Sequence, residues 1–143
     1  VLFDINVVLD FLAKRQPHYD DAARVWLLAE SRAIDGMISA DSATTVHYLL
    51  RRERLPQEGV AKCVQVLLDL FVVVPVTRAV LQRALHTGWS DFEDAVKLEC
   101  AEDCGADFIL TRDQKFIERC PMAISPRQFL DKIQASGDHE PTE

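Results

Sequence analysis

The sequence predicts an α/β domain with three layers, α/β/α, built on a five-stranded parallel sheet flanked by helices. Three observations carry that expectation. Short apolar runs alternate with longer stretches of helical period, the pattern of strand–helix–strand crossovers. The first such run, Val1-Leu2-Phe3, stops on the carboxylate of Asp4, and a helical pattern begins at once. Two further acids recur in comparable settings, Asp94 within Ser90-Asp91-Phe92-Glu93-Asp94-Ala95 and Asp113 after Phe108-Ile109-Leu110-Thr111-Arg112. Ligands of open parallel sheets sit outside the carboxyl ends of the strands, so acids in those places are displayed rather than packed away.

The elements follow in order. Residues 1–4 form the first strand, and 6–15 a helix with Val7, Leu9, Phe11 and Leu12 among its apolar positions. A second helix spans 18–33, where Ala22, Ala23, Trp26, Leu27 and Ala29 recur at helical spacing. Met37 to Ala40 is a short second strand, followed by a helix from Ser42 to Arg52. Pro56 suits the first turn of the next helix, 56–69, because no N–H is needed there. Phe71-Val72-Val73-Val74 is a β-branched third strand closed by Pro75. Thr77 then caps a helix running to His86, with Gly88 as its stop. Ser90-x-x-Glu93 matches a capping box, so a helix starts at Asp91 and runs to Cys104, ending on Gly105. Asp107 to Thr111 is the fourth strand, followed by a short helix over 113–119, a weak fifth strand at Ala123-Ile124 and a helix opened by Pro126.

A length of 143 residues fits one domain, expected over 1–135, with the polar segment 136–143 as a disordered tail. Apolar content of 48% with 27% charged residues is ordinary for a soluble globular protein, and no apolar run approaches the roughly 20 residues of a membrane span. Cys63, Cys100, Cys104 and Cys120 lack short paired spacings and are read as reduced, packed thiols. With no charged-then-apolar leader ahead of the first strand, the expectation is a cytoplasmic protein. A net charge of −7 argues against a general electrostatic binder of nucleic acid. Local basic clusters at Arg51-Arg52-Glu53-Arg54 and at Arg112, Lys115 and Arg119 still allow a basic rim around an acidic site.

If the first and fourth strands are neighbours, Asp4, Asp94 and Asp113 converge in one crevice, with Asp91 one turn from Asp94. Oxygen-only donors of this kind suit Mg²⁺ or Mn²⁺, which keep several waters and also bind phosphate oxygens. Each acid has a purely structural explanation beside that one. Asp91 and Glu93 fit a helix start, Asp113 fits the cap of the short helix after it, and Asp4 fits a turn.

These motifs together resemble the PIN-domain ribonucleases, especially the VapC-like toxin subunits of bacterial type II toxin–antitoxin pairs. Asp4-Ile5-Asn6-Val7-Val8-Leu9-Asp10 is similar to the family's opening Asp-x-Asn signature, Asp91-Phe92-Glu93-Asp94-Ala95 to its central acidic motif, and Gly105 to Asp113 to its closing one. The resemblance spans nearly the whole chain. It implies a metal-dependent endoribonuclease with Asp4, Asp94 and Asp113 as principal Mg²⁺ or Mn²⁺ ligands, and Asp91 as an additional or water-mediated one. Asn6 and Thr111 would position neighbouring backbone or bound water. RNA, a cognate antitoxin protein and a second copy of the chain are the implied partners. One position departs from the pattern: where the family carries a Glu early in the helix after the second strand, this chain has Thr45. A neutral hydroxyl there removes one negative ligand, with Asp41 one turn earlier as a conceivable substitute, and leaves open a weak or inactive PIN-fold module that binds nucleic acid or protein. A small-molecule phosphohydrolase using Asp4 as nucleophile is a further alternative, against which Asn6 stands where a second acid would be needed.

Overall fold

The computed structural model describes residues 1–137 and shows a five-stranded parallel sheet flanked by eight helices. In chain order the elements are β1 (Leu2–Phe3), α1 (Ile5–Leu12), α2 (Tyr19–Glu30), β2 (Met37–Ser39), α3 (Ala40–Arg52), α4 (Gln57–Leu70), β3 (Val72–Val74), α5 (Arg78–His86), α6 (Phe92–Asp103), β4 (Ile109–Leu110), α7 (Gln114–Arg119), β5 (Ala123–Ile124) and α8 (Pro126–Gly137). The strand order is β3-β2-β1-β4-β5, with Leu2 opposite Met37 on one side and Ile109 on the other. The chain winds outward from β1 to β3, then returns to the far side of β1 as β4. The crevice between β1 and β4 is therefore the topological switch point, where such sheets bind ligands.

Alternation along the strands divides the apolar residues between two cores. Leu2, Ile109, Ala123 and Val74 point to the layer of α5, α6 and α7. Phe3, Leu110, Ile124 and Ile38 point to the opposite layer, with Val8, Val25, Trp26, Leu50 and Leu67 from α1 to α4 and Phe129 from α8. Each fully buried Phe, Leu or Val contributes roughly 1.5–3 kcal/mol relative to exposure, so both faces of the central strands are held. Trp26 stacks on Phe11 at 4.1 Å and meets Phe71 edge-on at 5.2 Å. Gly36 allows this aromatic cluster its position, because a Cβ there would lie 2.8 Å from the Phe71 ring. The apolar residues of the 18–52 region divide accordingly: Trp26, Val46 and Leu50 are core, and Tyr48 is exposed.

Several boundaries shift from the sequence expectation for local reasons. The first helix ends at Leu12 because Lys14 turns left-handed at φ 51, and the second ends at Glu30 ahead of Arg32 at φ 60. Phe71 is not strand: its N–H bonds to Leu67 O, closing α4, while its ring goes into the core. Thr77 caps α5 as expected, its side chain accepting from Val80 N at 3.2 Å, and Gly88 and Gly105 take the positive φ that stops α5 and α6. The start of α6 differs from the expected capping box. Asp91 is itself the N-cap, its Oδ1 accepting from Asp94 N at 3.1 Å. At the other end, α8 continues through Gly137, two residues into the segment expected as a tail, and 138–143 lie outside the described residues. Among the described residues, no helix is long and apolar enough to cross a membrane.

Candidate active site

Parallel pairing sets the position of Asp4. Its N–H bonds to Leu110 O at 2.9 Å, which brings the first residue after β1 level with the end of β4. The side chain is only 3% exposed, so its charge needs partners. Thr111, fully buried just beyond β4, donates its Oγ1–H to Asp4 Oδ2 at 2.7 Å and accepts Asp113 N–H at 3.1 Å. One hydroxyl thus ties the Asp4 carboxylate to the loop that carries Asp113. Asp113 Oδ1 accepts Phe116 N–H at 3.1 Å and so caps α7.

The α6 helix brings in the remaining groups. Its first turn places Asp91 and Asp94 beside Asp4, and its second places Lys97. Lys97 Nζ lies 3.0 Å from Asp4 Oδ1 and 3.2 Å from Asp94 Oδ1. The Lys97 side chain is 12% exposed. Burial disfavours the ammonium, but the charges and hydrogen bonds of Asp4 and then Asp94 outweigh it and hold its pKa above the ordinary lysine value. Asp94 is pushed the opposite way from a typical paired acid. Burial raises its carboxyl pKa, Lys97 only partly offsets this, and Asp91 and Asp113 add repulsion.

Asp4, Asn6, Asp91, Asp94 and Asp113 all line one cavity of about 290 Å³, together with Thr45 and Lys97. Thr45 brings no charge to the cavity, and its hydroxyl donates to Asp41 O at 3.1 Å. Asp41 is exposed and does not line the cavity, so it is no substitute for the missing Glu. Among the described residues, no three His, Cys, Asp or Glu side chains stand together closely enough to hold one metal ion. The reasons are local: Asp91 and Asp113 are turned to backbone N–H groups, and Lys97 fills the space between Asp4 and Asp94. The donor chemistry nonetheless fits a hard cation. All the acids offer oxygen, and the ammonium is a cation held where an ion would bind them.

The chain matches the PIN domain family model over residues 1–115. It belongs to the PIN-domain family. Over 137 residues it is 20% identical to the Ribonuclease VapC1 of Aquifex aeolicus (strain VF5), covering 92% of this chain and 94% of that protein. A toxin–antitoxin complex from Klebsiella pneumoniae contains a chain of the same fold, with TM-score 0.67, 19% identity, and coverage of 88% of this chain and 97% of that one. In this PIN domain the acids singled out from the sequence share one cavity at the carboxyl edge of the sheet.

Sequence reasoning missed two features of this PIN domain. Lys97 lies between buried neighbours, Val96 and Cys100, and a lysine set among buried positions one turn after an acid is the signal that could have found it. Asp10, fully buried in α1, pairs with Arg112 between Thr111 and Asp113, and nothing local marks two residues so far apart as partners. Arg112 Nη2 donates to Asp10 Oδ1 at 3.1 Å, while Nε sits 2.5 Å from Oδ2 at an angle that makes no hydrogen bond. That pair takes Arg112 out of the expected basic rim. Lys115 and Arg119 remain, exposed beside a second cavity that shares Asp91, Asp94 and Asp113, with Arg119 stacked 4.7 Å from the Trp89 ring centre. Cys100 is packed in the core, and burial pushes its thiol up to about 11, a poor nucleophile and ligand at neutral pH.

Proposed function

We propose that this PIN domain is an RNA-directed protein of the toxin–antitoxin type whose metal-dependent phosphodiester hydrolysis is weak, so that binding of RNA or of a protein partner dominates over cleavage. The observation that carries this reading is the Lys97 ammonium seated between Asp4 and Asp94, in a cavity where Thr45 stands in place of an acid. Asp4, Asp94 and Asp113 are the residues that would hold Mg²⁺ or Mn²⁺, with Asp91 acting directly or through water. When bound, the ion supplies an activated water and neutralises charge on the phosphodiester. The chain's own contribution is positional. Thr111 fixes the Asp4 carboxylate, Asn6 lines the entrance, and Lys115 and Arg119 offer positive charge to phosphates near an otherwise acidic surface.

The likeness to a chain of a toxin–antitoxin complex supports an antitoxin as protein partner, and pairing with a second copy is part of the same proposal. Lys97 beside Asp4 also meets one need of an aspartyl phosphatase, but Asn6 and membership in the PIN family favour the nuclease-type reading. The test combines fluorescence anisotropy with gel assays on a structured RNA across a Mn²⁺ titration. The expected result is RNA binding with slow cleavage that needs high Mn²⁺, disappears with EDTA and is lost in Asp94→Asn. Cleavage at full rate in Asp94→Asn refutes the site, and fast cleavage at low Mn²⁺ by the native chain refutes the weakness.

A further inference from the structure

Lys97 is the only cation within reach of both Asp4 and Asp94 among the described residues, and its placement is built rather than incidental. Its stem runs through the protein, with Nζ 5.1 Å from the ring centre of Phe116, itself 1% exposed. Asp4 is almost fully buried, so without a cation its charge would keep only the Thr111 hydroxyl as a side-chain partner among the described residues. Resting on the reading of the acids as a divalent-ion site, we propose that Lys97 is a tethered counter-ion that occupies that site in the metal-free protein and must withdraw for Mg²⁺ or Mn²⁺ to bind.

The chemistry of exchange follows from what the two cations need. Both the ammonium and a hard divalent ion seek carboxylate oxygens at close range, and Asp4 Oδ1 and Asp94 Oδ1 are the two oxygens Lys97 holds. Two like charges cannot share that space, because their repulsion is strongest where water is excluded. Ion binding is therefore a replacement of one cation by another, and the affinity measured is the difference between them. The fold also gives the displaced ammonium somewhere to go. Glu93 lines the same cavity, is exposed, and lies four residues before Lys97 on α6. A Glu placed four residues N-terminal to a Lys is the favourable orientation for a helix-surface pair. Lys97 would thus have two stations, the inner one seen on Asp4 and Asp94 and an outer one on Glu93, reached by rotation of its four-carbon stem.

The experiment is calorimetric titration of Mn²⁺ alone into the native chain and into Lys97→Met, with the melting temperature of each recorded with and without the ion. Lys97→Met is expected to bind Mn²⁺ at least tenfold more tightly, about 1.4 kcal/mol. Its metal-free form should melt lower than the native chain, since Asp4 is left uncompensated, and its gain on adding Mn²⁺ should be larger. Equal or weaker binding by a folded Lys97→Met overturns this proposal while leaving the metal site standing. No binding by either protein overturns the site and the proposal together. Nitrogen-15 spectra of the lysine ammonium groups in the native chain test the same point without a variant. Saturating Mg²⁺ should shift or erase the protected Lys97 signal, and a signal unchanged at saturation overturns the exchange.

Discussion

The Asp10–Arg112 pair tethers α1 to the loop that presents Thr111 and Asp113, and the two ends of that tether differ in exposure. The Asp10 side chain is 1% exposed and that of Arg112 29%. Removing one partner of a buried pair costs about 3–5 kcal/mol because the other charge is left unpaired. Arg112→Ala leaves the buried Asp10 carboxylate without its cation, and the partial exposure of the lost arginine, which lets water in behind it, places the cost at the low end, about 3 kcal/mol. Asp10→Ala instead leaves a guanidinium that can turn to solvent, so its cost is that of lost packing and one charged hydrogen bond, about 1.5–2 kcal/mol. At roughly 3 °C per kcal/mol for a domain of this size, the expected losses are about 9 °C for Arg112→Ala and about 5 °C for Asp10→Ala. Thermal melts followed by circular dichroism, with urea titrations for the free energies, measure both. The reasoning fails if Asp10→Ala is as damaging as Arg112→Ala, or if neither loses more than about 1 kcal/mol, the range of an exposed ion pair.

Three other perturbations read the site. Thr111→Val removes the donor to Asp4 and the acceptor of Asp113 N–H in a fully buried position, and should cost about 2–3 kcal/mol in urea denaturation. A loss below about 0.5 kcal/mol would show that neither bond matters to the fold. Thr45→Glu adds a sixth carboxylate to the cavity wall, beside Asp4, Asp91, Glu93, Asp94 and Asp113, and should tighten Mn²⁺ binding by about tenfold in calorimetry, whereas unchanged affinity would exclude position 45 from the ion's surroundings. Protons compete with the ion for Asp94, whose carboxyl pKa burial raises above 3.8, so Mn²⁺ affinity should fall on acidification sooner than an ordinary aspartate would allow. The Lys97 pKa is raised instead, so the stability from its ion pairs is complete below the ordinary lysine value and is lost only as pH climbs through the raised one. A titration of affinity between about pH 7 and pH 4 that stays flat contradicts the Asp94 assignment.

The fold was legible because the strands are short apolar runs closed by a polar residue or, for β3, by Pro75, and several helix starts carry a chemical mark such as Pro56, Thr77 or Asp91. Asp4, Asp94 and Asp113 stood out for the same reason, since each sits where a strand ends or a helix begins. The strand order then does the work that spacing alone cannot, by setting β4 beside β1 and bringing Thr111 to Asp4 across 107 positions. What spacing left hidden were the compensating charges. Lys97 sits in mid-helix, and Arg112, although between β4 and α7, pairs with a residue 102 positions away, so the need for both arises only once Asp4 and Asp10 are known to be buried. Their partners were visible as acids, but burial, a property of the assembled layers, is what demands the cations.

Those compensating charges bear on how an acidic protein would meet RNA if the proposed function holds. The chain carries a net charge of −7, and the cavity gathers four aspartates and Glu93 against one lysine. A phosphodiester approaching Asp4 and Asp94 without any cation there would be repelled by the two carboxylates. With Lys97 on Asp4 and Asp94, those two carboxylates are already neutralised in part, and the repulsion that remains comes from Glu93 and from Asp91 and Asp113, the latter two next to Lys115 and Arg119. On the proposed function, RNA association in the absence of metal would depend on the same ammonium that is proposed to compete with the ion. Lys97→Met, the variant expected to gain Mn²⁺ affinity, should lose affinity for a short single-stranded RNA in EDTA, by several-fold at low salt and less as salt screens the cleft. Anisotropy titrations at two salt concentrations measure this. Equal or tighter RNA binding by the variant in EDTA would mean that phosphates do not pass near the Asp4–Asp94 pair, and that RNA rests on the Lys115 and Arg119 side alone.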